Sequence, residues 1–481
     1  MSVESRSPRA LFVAYLFPPV GGVGVLRVTK FVKYLPEFGW NSSVLTVSNP
    51  SVPLFDESLL NDIPEDTLIR KARTLEPDYA HKVSTTPTAG SASRLSGWKS
   101  HVKTSAKWLA KAVLQPEAQI LWYPAAVKAG VQLLHEVPHD VIVATGPPFT
   151  NLLVGAALSR KTGVPLILDY RDEWVINSEY LENRLTGNMA RWLQKQMQSR
   201  ADRAASAILA TTPSSASAIH QLAERACSRA ITTHIYNGFD PEDFSKANTS
   251  LAREDYGSGT DLFRISFAGT MWNLTSIEPF VKGVRRLCER SPHLAERLEI
   301  VLAGRRAAGQ EEMIDLLNGL PVRTVRLGYL EHAEVTRLMM TSDSLLLLLS
   351  DLPHADRVIS SKVFEYMAAK RPVFAVTPEG DQCDVLREHP GATICQPSDV
   401  DGIANALADR IEEHRVGAVP DGLTWDFSQF DRKTQAGQLA RLMETVSSRQ
   451  SHSERSIVQS SGVYRRADME LSQHDRSEVS K

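Results

Sequence analysis

No stretch of this chain reaches the roughly 18 consecutive apolar residues that a membrane-spanning helix needs, which argues against an α-helical span. Cysteine is sparse: Cys227, Cys288, Cys383 and Cys395 are the 4 present in 481 residues, and they form no Cys-x-x-Cys pair. That spacing argues against a disulfide framework or a structural metal site, and neither a metal nor any other cofactor is expected. Neither sign of charge is in excess. With 54 basic and 56 acidic residues and a formal net charge of -2, no global attraction to nucleic acid arises, and none is expected as a partner. A cleavable leader is imitated at the N-terminus, where Arg6 and Arg9 precede Ala10 to Phe17. However, Pro18-Pro19 and Gly21-Gly22 interrupt the run and no Ala-x-Ala site follows. A buried first strand accounts for it better. The expectation is a cytoplasmic protein, at most peripheral at the inner face of a membrane.

What is present is an alternation of short apolar runs with helical patterns. Hydrophobic residues at 42% and charged ones at 23% are ordinary globular values, and 481 residues suffice for two or three domains. Strands are expected at Ala10 to Tyr15, Ser43 to Val47, Val141 to Ala144, Leu166 to Leu168, Ala207 to Ala210 and Ile231 to Ile235. A second series follows at Phe263 to Phe267, Leu298 to Leu302, Thr324 to Leu327, Leu345 to Leu349, Val373 to Val376 and Ala392 to Ile394. Helices between them imply parallel, doubly wound sheets, an α/β fold of two Rossmann-like domains. The spans are 1–245, with a polar insert at 73–99, and 261–420. The polar stretch from Ser245 to Asp261 makes the boundary. An amphipathic helix covers 427–446 within a segment 421–446, and 447–481 is a disordered tail by composition.

Chemistry gathers where strands end. After the leucine run Ser344 to Ser350 comes a loop, then the helix Ser360-Ser361-Lys362-Val363-Phe364-Glu365-Tyr366-Met367, which Pro372 ends. Val363, Phe364 and Met367 share its core face. Ser360 or Ser361 can cap it. Lys362 at the helix start suits a phosphate, and Glu365 one turn on suits a sugar's paired hydroxyls; the bland reading is a solvated Lys–Glu pair. The loop Phe17 to Gly24, with Gly21 and Gly22, closes the first strand, where open α/β sheets bind ligands. It is either a backbone cradle for a ligand or a tight turn. Gly22-x-Gly24 lacks a third glycine, because position 27 is Arg27, so a dinucleotide fingerprint is not met. Asp169, Arg171, Asp172 and Trp174 load another strand end, as active-site groups or as an Asp–Arg pair tying loops together. Gly269 and Thr270, and Gly304 and Arg305, end strands of the second domain. Along 98–114, Lys99, Lys103, Lys107 and Lys111 recur every four residues beside Trp98 and Trp108. That stripe fits either an anionic membrane surface or an ordinary helix on the protein's own core.

Lys362-Val-Phe-Glu-Tyr-Met-Ala-Ala-Lys-Arg-Pro-Val resembles the donor-site signature of retaining, nucleotide-sugar-dependent glycosyltransferases of family 4 (group 1). Phe17-Pro-Pro-Val-Gly-Gly-Val-Gly, Asp169-Tyr-Arg-Asp-Glu-Trp174 and Asn237-Gly-Phe-Asp240 resemble further motifs of that family, in order along 10–445. The resemblance implies a GT-B architecture, two Rossmann-like domains facing across a cleft, with the 427–446 helix crossing back to the first. It implies retaining transfer from a nucleoside-diphosphate sugar to the hydroxyl of a sugar or lipid-linked acceptor, in cell-surface polysaccharide or glycolipid synthesis. Lys362, Ser361, Gly21, Gly22, Gly269, Thr270 and Arg305 then hold the donor, and Glu365 its ribose. Arg171 and Asp172 join Lys362 and Glu365 as catalytic groups, while Asp169 and Trp174 line the acceptor side. Two positions depart from the pattern. Arg357 stands where the family often has a glutamate reaching the donor sugar, and Gly269-Thr270-Met271-Trp272-Asn273 lacks the usual cations, for which Arg305 or Arg357 is the candidate substitute. A nucleotide-sugar epimerase of the same architecture and a non-catalytic binding or scaffold subunit are the alternatives.

Overall fold

The computed structural model describes residues 6–77, 114–176, 187–245, 261–307, 309–418 and 426–449. The first sheet comprises β1 Arg9–Val13, β2 Asn41–Val47, β3 Leu68–Ala72, β4 Val141–Gly146, β5 Leu166–Tyr170, β6 Ala207–Ala210 and β7 Ile231–His234. Its seven strands run in the order β3-β2-β1-β4-β5-β6-β7, and every pairing is parallel. The second sheet holds β8 Phe263–Ala268, β9 Leu298–Ala303, β10 Arg323–Arg326, β11 Ser344–Leu348, β12 Val373–Val376 and β13 Ala392–Cys395. Its six parallel strands run β10-β9-β8-β11-β12-β13. Strand order reverses between β1 and β4 in one sheet and between β8 and β11 in the other. Loops leaving the carboxyl ends of those strands are where such sheets hold ligands.

The leucine run shows why the elements form. In β11, Leu346 and Leu348 enter one apolar cluster with Phe267 and Phe280, while Leu345 and Leu347 enter another with Val363, Phe364 and Met367. A period-2 strand covered by helices on both faces reads as a nearly continuous apolar run, and each buried leucine contributes about 1.5–3 kcal/mol. The same division operates in β1, where Leu11 and Val13 face one way and Ala10 and Phe12 the other.

Three features differ from the sequence reading. Strand β3 was not foreseen; it is an edge strand whose Leu68 and Ile69 are each 39% exposed, so it lacks the buried run that marked its neighbours. The C-terminal helix starts at 432 rather than 427, because Ser428–Phe430 forms a 3-10 turn. Phe430 packs on Phe364 of the second domain, at 5.0 Å between rings, whereas Ala436, Leu439, Met443 and Val446 join Phe12, Val28 and Phe31 in the first. That segment stitches the domains together. Ser361 precedes the helix Lys362–Ala368 but makes no side-chain capping bond. The expected insert at 73–99, the basic stripe at 98–114, the boundary around 246–260 and the tail lie largely or wholly outside the described residues.

One buried carboxylate inside the first domain is fully paired. Glu117 is buried and accepts from Thr150 Oγ1 at 2.6 Å and from the Thr150 and Phe149 amides. Burial nevertheless pushes its carboxyl up to about 7. A carboxyl raised in the folded state favours folding while protonated, so its contribution is complete below the unfolded value and is lost as pH rises through the folded one. The wild type is therefore expected to lose stability relative to Glu117→Gln from about pH 4.5 upward, levelling off above about pH 7. Unfolding midpoints of the two proteins across pH 4 to 9 check this, and a constant difference would dismiss it.

Candidate active site

On the first-domain side the loop after β1 delivers the helix Val23–Tyr34. A Cβ at Gly21 would lie 2.9 Å from Leu54, and Gly21 N–H donates to the Leu54 carbonyl, so glycine is needed there for close packing. Gly22, at φ 97, opens the helix with nothing within 4 Å of where a Cβ would stand; it is exposed. Behind the loop Arg27 is 2% exposed and grips Asp169 through Nε and Nη2 at 3.1–3.2 Å. Thr145 Oγ1 donates to the same carboxylate at 2.8 Å. Asp169 is thus an internal anchor rather than an open cleft group, because three donors already fill its acceptor sites. Trp174 also departs from its expected acceptor-side place. It is 3% exposed, stacks on Phe149 at 4.5 Å, and donates its indole N–H to Gln194 at 2.8 Å, so it belongs to the core. Between them, Arg171 donates to the Gly24 carbonyl and leaves its Nε unbonded among the described residues. Asp172 is exposed, yet the surrounding walls push its carboxyl upward, with Arg171 opposing. These two do stand at the open end of β5.

The second-domain side is built around Lys362. Its ammonium crosses the end of β8: a Cβ at Gly269 would lie 2.2 Å from Cε and 2.3 Å from Nζ. Gly269 has φ 147, and only glycine fits both the backbone and the lysine there. Nζ also lies 5.8 Å from the centre of the Phe267 ring. No described residue accepts a hydrogen bond from it. Burial holds this ammonium below its ordinary value, and the Glu365 carboxylate opposes that shift. Glu365 is half-buried and likewise unbonded among the described residues. Thr270 and Arg305 are exposed beside the same strand ends. Arg306, in contrast, is spent on Glu311 and on the carbonyls of Leu302 and Leu327.

The two sides touch. Arg357 Nη1 donates to Glu173 Oε2 at 2.8 Å, and its Nη2 lies 2.6 Å from His354 Nδ1. Ser215 Oγ donates to the other Glu173 oxygen at 2.7 Å, and Thr212 Oγ1 donates to the Arg357 carbonyl at 2.9 Å. Ser214 completes the contact, bonding Asp381 through Oγ at 2.7 Å and through its amide at 3.0 Å. Arg357 is therefore already held by a buried carboxylate of the first domain. Glu173, Ser214 and Asp381 were not singled out from sequence, because each finds its partner in the other domain. Arg432, also missed, is 5% exposed; burial and the neighbouring Arg27 press its guanidinium down to about 9, against the carboxylates of Glu365, Asp169 and Asp240. An unfolding double-mutant cycle with Glu173→Gln and Arg357→Gln should return a coupling of roughly 0.5–3 kcal/mol. Strict additivity would mean that the pair does not hold the domains.

Residues 24–230 match the family described as glycosyl transferase 4-like domain, and residues 263–413 match glycosyl transferases group 1. A search of curated protein sequences finds no match. Among solved structures, the chain is similar to the Anabaena protein HepE in complex with UDP-glucose (17% identity, TM-score 0.53, covering 91% of this chain and 99% of that one). It is also similar to a UDP-forming α,α-trehalose-phosphate synthase from Burkholderia xenovorans bound to glucose-6-phosphate (12%, TM-score 0.56, 91% and 100%). The N-terminal domain of Candida albicans trehalose-6-phosphate phosphatase has the same fold (13%, TM-score 0.58, 92% and 97%). With two parallel sheets meeting across a cleft and both halves matched, the chain belongs to the group 1 glycosyltransferases of GT-B architecture.

Proposed function

We propose that this protein transfers a sugar from a nucleoside-diphosphate sugar to an acceptor hydroxyl with retention of configuration, in cell-surface polysaccharide or glycolipid synthesis. The observation that carries this is the unpaired Lys362 ammonium laid over Gly269, with the unbonded Glu365 carboxylate one helical turn away. A folded protein seldom leaves a partly buried cation and a nearby carboxylate without partners unless a ligand completes them. Lys362 meets the diphosphate, assisted by exposed Arg305 and by Thr270 and Ser361, and no metal is needed for that charge. Gly21 and Gly22 close over the donor from the opposite domain. Glu365 takes the ribose hydroxyls. Arg171 and Asp172 face the acceptor, whose proton passes to the departing diphosphate, so the protein's work is placement and charge neutralisation. The UDP-glucose found in HepE supports a uridine diphosphate donor as the first to try. The setting is the cytoplasmic face of a membrane, where a lipid-linked acceptor is within reach; the 98–114 stripe proposed for that contact lies outside the described residues.

Arg357, held by Glu173 and His354 where a donor-sugar glutamate often stands, favours one second reading: a subunit that binds nucleotide sugar without turning it over. Release of nucleoside diphosphate with an acceptor present separates the two. Epimerised nucleotide sugar without an acceptor would instead identify an epimerase.

Two variants test the donor site. Glu365→Gln keeps its shape and loses charge-assisted bonds of on the order of 1.5–3 kcal/mol, so UDP affinity should fall roughly tenfold to a hundredfold. A 2′,3′-dideoxy nucleotide should lose affinity on wild type but little more on the variant; simply additive losses would remove Glu365 from the ribose. Gly269→Ala pushes the Lys362 ammonium aside and costs about 1–3 kcal/mol of backbone strain. Calorimetry should find UDP binding weakened at least tenfold in a folded protein, and unchanged binding would displace Lys362 from the diphosphate.

A further inference from the structure

The helix Asn188–Ala204 sets Ala201 and Met197 on the core but leaves two large apolar side chains in water. Its buried positions are Gln194, Gln198, Ala201 and Asp202, of which three are polar. They are well used: Gln194 accepts from the Trp174 indole and donates to Gln115 at 2.7 Å, and Asp202 accepts from Tyr170 at 2.7 Å. The outward side instead shows Met189, 70% exposed, and Trp192, 56% exposed. With them stand Arg191, Lys195, Arg200 and Arg203, all exposed. Among the described residues no carboxylate pairs with any of the four, and the only acid on the helix, Asp202, points inward. Folding explains the inward side and leaves the outward one unexplained. A large indole and a thioether kept in water among unpaired cations cost solubility and give the isolated fold nothing.

We propose that this face docks the protein on an anionic phospholipid bilayer. Trp and Met enter the interfacial layer, and the four cations meet the headgroup phosphates. Position strengthens the assignment. The strands are parallel, so a helix between β5 and β6 begins at the carboxyl edge of the sheet, the edge that carries the cleft. Its second turn holds Trp174 through Gln194, three residues from Arg171. A docked Trp192 therefore brings the mouth beside Arg171 and Asp172 to the lipid surface, where a lipid-linked acceptor presents its hydroxyl. The inference deepens the peripheral part of the proposed function and is independent of the transfer chemistry.

Co-sedimentation of the full chain with phosphatidylcholine vesicles, with and without phosphatidylglycerol, tests it. The wild type should bind the anionic vesicles and not the neutral ones. Arg191→Gln with Lys195→Gln should lower that binding at least tenfold, since each interfacial cation is worth about fivefold in partition. Met189→Ser with Trp192→Ser should leave binding that vanishes when salt rises from about 0.1 to 1 M, as the screening length shrinks from about 10 to 3 Å. Both pairs lie on an exposed face, so unfolding midpoints and UDP affinity should match the wild type. That match separates a docking defect from failure of the donor site. The proposal falls if neither pair changes vesicle binding while glutamine at Lys99, Lys103, Lys107 and Lys111 abolishes it. It falls equally if the wild type ignores anionic vesicles, or if the helix pairs alter only retention on a soluble polyanion such as heparin.

Discussion

The buried pair of Arg27 and Asp169 is the contact on which the first half of the site depends. Both side chains are at most 2% exposed, so water gives neither any solvation. Removing two charges from water is costly, and the attraction offsets that only when every remaining donor and acceptor is met. Here they are: Thr145 completes the carboxylate, while the Tyr236 carbonyl takes a further guanidinium N–H at 2.9 Å. One pair thereby fixes the helix after β1, the ends of β4 and β5, and the exit from β7. Arg171, two residues beyond Asp169, inherits its position from that anchor, and so does the exposed carboxylate of Asp172.

Much of this architecture was legible in the sequence because buried parallel strands leave continuous apolar runs. The leucines of β11 and the apolar residues of β1 and β12 announce themselves in that way. Strand β3 does not, since an edge strand tolerates Arg70 and Lys71 among its five residues. In the site, Lys362 and Glu365 could be read locally because their spacing sets their relation on one helix. Trp174 could not. A tryptophan at a strand end reads as a cleft residue, but the chain turns inward after Glu173 and carries the indole under Phe149. Arg357 was equally opaque, as its partner Glu173 lies 184 positions away in the other domain. Local pattern locates elements and the neighbours on a single helix; pairs across a cleft require the fold.

The second-domain side of the candidate site shows how a glycine can serve a lysine. Usually a glycine at a strand end is taken to admit the ligand's phosphates. Gly269 first admits the side chain of Lys362, whose stem and ammonium occupy the volume a methyl group would need. The cation is thereby fixed over the strand end by shape, without a carboxylate to hold it, and its charge stays available.

The chain crosses between the domains at two places that run side by side. Phe239 and Asp431 form a parallel bridge: the Phe239 amide donates to the Phe430 carbonyl at 3.1 Å, and the Arg432 amide donates to the Phe239 carbonyl at 3.0 Å. Gly238 is pressed so tightly on Phe430 that a Cβ would meet the Phe430 oxygen at 2.0 Å. Two rigid bodies joined along a short double seam have one easy motion, a swing about it, while twisting and sliding must break its hydrogen bonds. Displacement in a swing grows with distance from the axis. Arg27 and Arg432, lodged against the seam, stay nearly still as the domains part, and the Glu173–Arg357 and Ser214–Asp381 contacts act as its latch. Opening that latch would part the walls around Glu173 and Asp381 before it disturbed the groups beside the seam.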